Sequence, residues 1–116
     1  MNKSKRDYFM YLEDIILAMS RIAEYVDGYD FARFEQDYKT VDAVIRNFEI
    51  IGEAAKNVSD ELKLKYQEIP WQEMYSLRNK VSHEYHGIDH SIIWDIATRY
   101  LPDNKRQMEK LLSELR

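Results

Sequence analysis

The octapeptide RNKVSHEY, residues 78–85, lies in a segment that begins at Pro70 and ends at Gly87. Proline suits the first turn of a helix and glycine suits the position after its last turn, so this segment predicts one helix. One stripe of the helix is apolar, as expected of a face packed in a core: Met74, Leu77 and Val81. An adjacent stripe sets an arginine among aromatic rings: Trp71, Tyr75, Arg78, Ser82 and Tyr85. The segment therefore predicts a core helix whose second face carries reactive polar groups.

Two longer amphipathic segments precede this helix. Apolar residues recur at steps of three and four over about residues 5–27, which predicts a long helix that ends at Gly28. Residues 29–37 are expected to connect it, with one short turn at about 31–34, to a second long helix over about 38–58. The second helix is apolar on more than one side, as in a helix between two neighbours or between a core and a partner chain. Its small residues Gly52, Ala54 and Ala55 would permit close packing of another helix.

The remaining segments complete a helical bundle. Ser59 is placed to cap a short helix that runs to about Gln67, and Asp89 is placed to cap a last long helix. Ile88 and Ile93 flank that cap at the spacing of a hydrophobic staple. Pro102 is expected to kink or break the last helix, because it lacks a backbone donor. The prediction is one all-α domain over residues 1–116, built as a four- to five-helix bundle.

The composition limits the class of protein. Hydrophobic residues make up 45% of 116 residues, with three glycines and two prolines, which favours a packed helical core over disorder or a β-rich fold. Cysteine is absent, which excludes disulfides and thiolate metal sites and fits a cytoplasmic location. The polar residues 1–7 predict neither a signal peptide nor a membrane span. The net charge of −4 counts against nucleic-acid binding over the whole surface, although a local basic pocket is compatible with it.

The octapeptide carries groups that suit phosphate chemistry. Arg78 can hold a phosphate with several donors at once, His83 can move a proton near neutral pH, and Tyr85 adds a hydroxyl. Asn79 lies one turn before His83 and could hold its ring. In an ideal helix Arg78 and Tyr85 share a face, but positions five apart, as Arg78 and His83 are, lie about 140° apart. Either the last turn is distorted or two chains share one site, and a purely structural histidine stays open as well.

Other kinds of site find little support. No histidine has a glutamate three residues before it, as paired di-metal helices require. His83 and His86 are three residues apart, but no carboxylate spacing supports a metal there, and no glycine-rich phosphate loop is present. The expected site therefore uses no metal and no cofactor.

Three segments together resemble the HepT branch, also called DUF86, of the HEPN-domain toxins. They are residues 50–56 (IIGEAAK), 69–71 (IPW) and 77–89 (LRNKVSHEYHGID), and the last contains the pattern Arg-x4-His-x-Tyr. The resemblance implies a helical bundle that forms a homodimer, with both motifs lining one cleft. It implies a metal-independent endoribonuclease that acts as the toxin of a type VII toxin–antitoxin pair. RNA would be the substrate, with transfer RNA as one candidate.

The same resemblance implies roles for individual residues. Arg78 and His83 would be catalytic, and Asn79 and Tyr85 would support them. The partner would be an MNT-type nucleotidyltransferase antitoxin, which would neutralise the toxin by adding AMP to Tyr85. A competing hypothesis is a non-catalytic interaction module, and a third is a regulatory subunit that binds the transferase. A nuclease should expose Arg78 and His83 in a shared groove, whereas an interaction module should bury them in ion pairs.

Overall fold

The computed structural model describes the backbone of residues 5–83 and 89–116 and the side chains of residues 8–78 and 89–116. Within these ranges the regular elements are all helices joined by short connections, and there is no β-strand. The α-helices are α1 (Lys5–Val26), α2 (Phe31–Gln36), α3 (Tyr38–Lys56), α4 (Asp60–Lys65), α5 (Trp71–His83), α6 (His90–Asp95) and α7 (Leu101–Leu115), with a π-helical turn at Ile96–Tyr100 between the last two. The predicted all-α bundle is confirmed. No helix in the described part of the chain combines the length and the hydropathy that a membrane crossing requires.

Local capping signals set most of the helix ends. The side chains of Ser59 and Asp89 accept hydrogen bonds from the backbone N–H groups of Leu62 and Ser91, so both predicted N-caps are confirmed. Gly28 has a φ of 78°, a conformation that glycine adopts without strain, and α1 ends just before it. These ends agree with the predicted ones within a few residues.

The connector between the two long helices is more ordered than expected. Where the sequence predicts one short turn, α2 runs for six residues. Asp30 caps it by accepting from the N–H of Arg33 at 2.9 Å. Phe34 is fully buried and its ring lies 5.1 Å from that of Trp94, centroid to centroid. Burial of one large ring therefore stabilises a helix too short to persist alone.

Helix α3 is the centre of the bundle. It packs against α1 on one side and α5 on the other, and α1 also packs against α7. The predicted apolar stripes are core: Leu12, Ile15, Met19 and Ile22 on α1, and Val44, Phe48, Ile51 and Ala55 on α3, are all at most 1% exposed. Helix α3 thus lies between two neighbours of the same chain, whereas Ile45 and Ile50 are only partly buried against the core.

Pro102 does not end the last helix. The π-helical turn lies directly before α7, and the N–H of Leu101 donates to the carbonyl of Ile96, five residues back. This wider turn relieves the crowding between a proline ring and the carbonyl four residues before it. Of the two expected outcomes, a kink or a break, the break is wrong, because the chain stays helical from His90 to Leu115.

Candidate functional site

The crossing of α3 and α5 fixes the position of Arg78. A Cβ atom added at Gly52 would lie 2.6 Å from the Cβ of Arg78 and 2.9 Å from its backbone nitrogen. It would also lie 3.0 Å from the carbonyl oxygen of Tyr75. Such distances are too short for any side chain, so only glycine allows this approach. The predicted packing role of Gly52 is confirmed, and its neighbour across the crossing is the arginine of the motif.

The guanidinium of Arg78 is exposed and lies beside a carboxylate of the same chain. Its Nη1 atom is 3.0 Å from Oε2 of Glu53, and the two side chains are 44% and 55% exposed. A guanidinium has five N–H donors, so one close carboxylate oxygen leaves donors for a further anion. Within one chain Arg78 is thus exposed, as expected of a nuclease, and ion-paired, as expected of an interaction module, so the choice between the two stays a prediction.

The other motif residues lie partly or wholly outside the described residues. The backbone of Asn79 belongs to α5, and His83 is the last residue of that helix, but the side chains of both fall outside the described set. Tyr85 falls outside it entirely, as do Gly87 and the staple residue Ile88. The catalytic assignment of His83 and the modification of Tyr85 remain predictions.

The aromatic side chains near Arg78 on the same stripe of α5 have a structural role. Trp71 is 7% exposed, and its indole Nε1–H donates to the carbonyl of Tyr66 at 3.0 Å. Tyr75 is partly buried against the core. Met74 and Leu77, on the adjacent stripe, are buried as predicted. The rings next to Arg78 therefore hold α5 in the bundle, and they leave the arginine as the exposed member of the stripe within the described residues.

The sequence did not identify Glu53 as the partner of Arg78. It marked the surrounding small residues for tight packing, and it expected ion pairs of Arg78 only for the competing interaction module, without naming a partner residue. The signal that could have found it is Gly52, because a glycine in the middle of a helix marks the closest approach of a neighbour. The next residue then lies at the edge of the crossing, beside whatever the neighbouring helix presents there.

A groove lies on the side of α5 that faces α6 and α7. This groove has a volume of about 800 Å³ and is bounded by α5, α6, the π-helical turn and α7. Among the residues whose side chains the structure describes, its charged lining residues are both acidic, Glu73 and Asp95, and Arg78 is not one of them. The negative charge of these two carboxylates disfavours a phosphate there.

Two carboxylates with shifted pKa values lie at helix N-termini. Hydrogen bonds from the hydroxyls of Tyr29 and Thr40 hold the pKa of Asp37 below its ordinary value. The hydroxyl and the N–H of Ser91 do the same for the pKa of Asp89. Both are N-cap residues, and the shifts follow from capping bonds and, for Asp37, first from the hydroxyl of Tyr29, so they have structural causes. Among the described residues, no group of three or more histidine, aspartate or glutamate side chains is placed to hold a metal ion.

The fold and the arginine-bearing helix define the class: a HEPN-like all-α bundle that displays an exposed arginine on the helix after Ile69 and Pro70. The family model described as "Ribonuclease HepT-like" matches residues 15–111, and the chain belongs to this ribonuclease family. The predicted membership in the HepT branch is confirmed.

Relatives agree over nearly the full chain. "Probable ribonuclease HepT" of Thermococcus cleftensis is 43% identical over 107 residues, which cover 92% of this chain and 97% of the relative. "Putative RNase MJ0127" of Methanocaldococcus jannaschii is 38% identical over 96% of this chain and 92% of its own length. "Putative RNase TTE0752" of Caldanaerobacter subterraneus is 36% identical over 90% and 93%. No solved structure is significantly similar to the chain.

Proposed function

We propose that this protein is a metal-independent endoribonuclease and the toxin of a HEPN/MNT, or type VII, toxin–antitoxin pair. The observation that carries the proposal is Arg78, a half-exposed guanidinium fixed at a tight helix crossing in a chain of the ribonuclease HepT-like family. Relatives whose names describe ribonucleases, similar over nearly their whole length, support the same activity. RNA is the substrate class, and transfer RNA is one candidate.

The reaction uses the RNA's own 2′-hydroxyl. His83 accepts its proton as the 2′-oxygen forms a bond to the adjacent phosphorus, and the bond from phosphorus to the 5′-oxygen of the next nucleotide breaks. The leaving oxygen takes up a proton, and the products are a 2′,3′-cyclic phosphate and a free 5′-hydroxyl. Arg78 binds the phosphate oxygens on which negative charge increases in the transition state. Asn79 orients His83 or the phosphate.

A homodimer completes the site in this proposal. Arg78 and His83 are about 140° apart around an ideal helix, so one copy of α5 does not direct both at a single phosphate. A two-fold axis near α5 brings two copies of the motif to one cleft, because a symmetric dimer places the same patch on both subunits. Arg78 of one copy can then act beside His83 of the other.

The antitoxin in this proposal is an MNT-type nucleotidyltransferase. It transfers AMP from ATP to Tyr85: the hydroxyl oxygen loses its proton and bonds to the α-phosphorus, and pyrophosphate leaves. Tyr85 shares a helical face with Arg78 in an ideal helix. The attached AMP places a phosphate and a nucleoside where the RNA phosphate binds. Its negative charge competes for Arg78 and its bulk closes the cleft.

The test is an RNA-cleavage assay with the purified protein. We expect cleavage of total RNA and transfer RNA with and without EDTA, products with 2′,3′-cyclic phosphate ends, and a dimer by light scattering at micromolar concentration. Arg46→Ala is the matched control for Arg78→Ala, because Arg46 is an exposed arginine of α3 whose ion-pair partner is Glu49. We expect Arg78→Ala to lose cleavage and Arg46→Ala to keep it. Loss of cleavage on chelation would contradict the metal-free mechanism. A monomer that cleaves RNA would contradict the shared cleft. A protein that binds the transferase but cleaves no RNA would favour the interaction module.

A further inference from the structure

Glu53 lies against the arginine of the proposed site but belongs to a different helix. Its Oε2 atom is 3.0 Å from Nη1 of Arg78, so the ion pair connects α3 to α5. We propose that Glu53 is a positioning residue, which holds one side of the Arg78 guanidinium and directs the remaining donors at the RNA phosphate. The inference rests on the proposed ribonuclease function.

The helix crossing fixes the arginine at its base. The Cβ of Arg78 lies so close to Gly52 that the start of its side chain is confined by the backbone of α3. Glu53 follows Gly52 directly, so the same crossing also brings a carboxylate to the far end of the side chain. An arginine has several rotatable bonds between these two points, and its free rotamers cost entropy when the charge that develops in the transition state has to order them. Contact at both ends reduces that cost before RNA arrives.

Stability alone is a weak explanation of this ion pair. Both side chains are exposed to about half their extent, at 44% and 55%, and exposed ion pairs contribute little to the free energy of unfolding. Removal of Glu53 should therefore leave the fold intact and change what Arg78 does. Preorganised donors act most strongly where charge develops in the transition state, so the effect should fall on kcat more than on KM.

A carboxylate beside a phosphate site also repels the substrate, which gives the opposite expectation. If Glu53 mainly competed with RNA for Arg78, its removal would lower KM and raise activity. The single close oxygen leaves other donors of Arg78 available, and for this reason positioning is the effect we expect to dominate. The two roles differ in the sign of the change.

The test compares Glu53→Ala and Glu53→Gln with Glu49→Ala. Glu49 also lies on α3, but its partner is Arg46 at 3.8 Å, so Glu49→Ala removes the same charge without touching Arg78. We expect Glu53→Ala to lower kcat by about tenfold, the scale set by the side-chain entropy of an arginine, with little change in KM. Glutamine keeps an acceptor oxygen in nearly the same place, so Glu53→Gln should recover most of the loss. All three variants should keep the melting temperature of the wild type.

A cycle with Arg78→Lys tests whether Glu53 acts through Arg78. Lysine keeps the charge but not the planar set of donors, so residual cleavage stays measurable. In that background Glu53→Ala should have little further effect on kcat. An equal loss in both backgrounds would mean that Glu53 acts directly on the RNA, and would overturn the positioning role.

Relaxation of the Arg78 side-chain Nε–H in NMR provides a readout that needs no RNA. The wild type should show a restricted side chain and Glu53→Ala a mobile one. If the wild type cleaves RNA, Arg78→Ala does not, and Glu53→Ala behaves as wild type in both kcat and relaxation, the positioning role is wrong and the proposed function stands. A gain of activity in Glu53→Ala would mean that Glu53 competes with RNA for Arg78, and this would also overturn the positioning role. If the wild type cleaves no RNA, the proposed function fails and the positioning role fails with it.

Discussion

The two sides of α5 differ in shape and in charge. Towards α3 the packing is so tight that Gly52 leaves no room for a Cβ, and an exposed guanidinium stands at the edge of the contact. Towards α6 and α7 the packing opens into a groove of about 800 Å³ whose charged lining residues, in the described part of the chain, are Glu73 and Asp95. Deep pockets suit small molecules, whereas an RNA phosphate needs an accessible cation. We propose that the working side of this helix is the one with the exposed guanidinium, and not the one with the groove.

Removal of the motif side chains should have the largest effect on RNA cleavage. Arg78→Ala and His83→Ala should each lower the rate of RNA cleavage by about 10²- to 10³-fold, because they remove phosphate stabilisation and proton transfer, respectively. Initial rates on a fluorescent RNA, at matched protein concentration and with circular dichroism to verify folding, measure the effect. Glu73→Ala, in the acidic groove, is the control and should cleave as wild type. A groove variant as impaired as Arg78→Ala would place the site on the wrong side of α5.

The modification of Tyr85 by the proposed antitoxin provides a second test of which side of α5 is functional. Tyr85→Phe removes the acceptor oxygen and little volume, so the variant should still form the dimer and should take up no AMP. Co-production with the transferase and ATP, followed by mass spectrometry, should show one AMP on the peptide with Tyr85 in the wild type alone. Tyr100, 61% exposed beside the acidic groove, provides the control, since Tyr100→Phe should accept AMP as wild type does. AMP on Tyr75 or Tyr100 would contradict the assignment.

The crossing itself can be disturbed without a change in any charged group. Gly52→Ala places a Cβ 2.6 Å from that of Arg78, so α3 and α5 must separate or shift. Overpacking of this kind costs about 1–3 kcal/mol, partly offset by the higher helix propensity of alanine. We expect a modest loss in the denaturant midpoint and a larger loss of cleavage, because Arg78 moves with α5.

Gly28→Ala is the matched control for that variant. It strains a residue at a φ of 78°, costs about 1 kcal/mol or more, and lies outside the crossing. It should lose stability and keep cleavage per folded molecule. If both glycine variants retained full activity, the fixed base of Arg78 would be irrelevant to the reaction.

The sequence predicts the features of this fold that depend on neighbouring residues and misses those that depend on tertiary packing. Gly28, Ser59 and Asp89 were identified because a helix end depends on residues within one turn of it. The π-helical turn before Pro102 was missed, since packing decides whether a proline breaks a helix or widens it. Glu53 was missed for a related reason. Gly52 marks a close approach beside Glu53, but it does not say which helix approaches, and only the tertiary crossing brings Glu53 and not Glu49 to Arg78.

The smallest predicted effect is a pH dependence that belongs to the α2–α3 corner and not to the site. The hydroxyl of Tyr29 donates to Oδ2 of Asp37 at 2.6 Å and is the main reason that the pKa of Asp37 is lowered. A carboxyl group whose pKa is lower in the folded state stabilises the fold above its unfolded pKa, and this contribution is lost as the pH falls through the folded pKa.

Tyr29→Phe should therefore be less stable than wild type at neutral pH, and the two should converge in acid, below the ordinary aspartate pKa of about 3.9. Urea unfolding at several pH values measures the difference, with Tyr38→Phe, an exposed tyrosine one residue from Asp37, as control. Cleavage at neutral pH should be unchanged in both variants, because neither touches the α3–α5 crossing. A constant stability difference at every pH would show that the hydroxyl of Tyr29 acts through packing and not through the charge of Asp37.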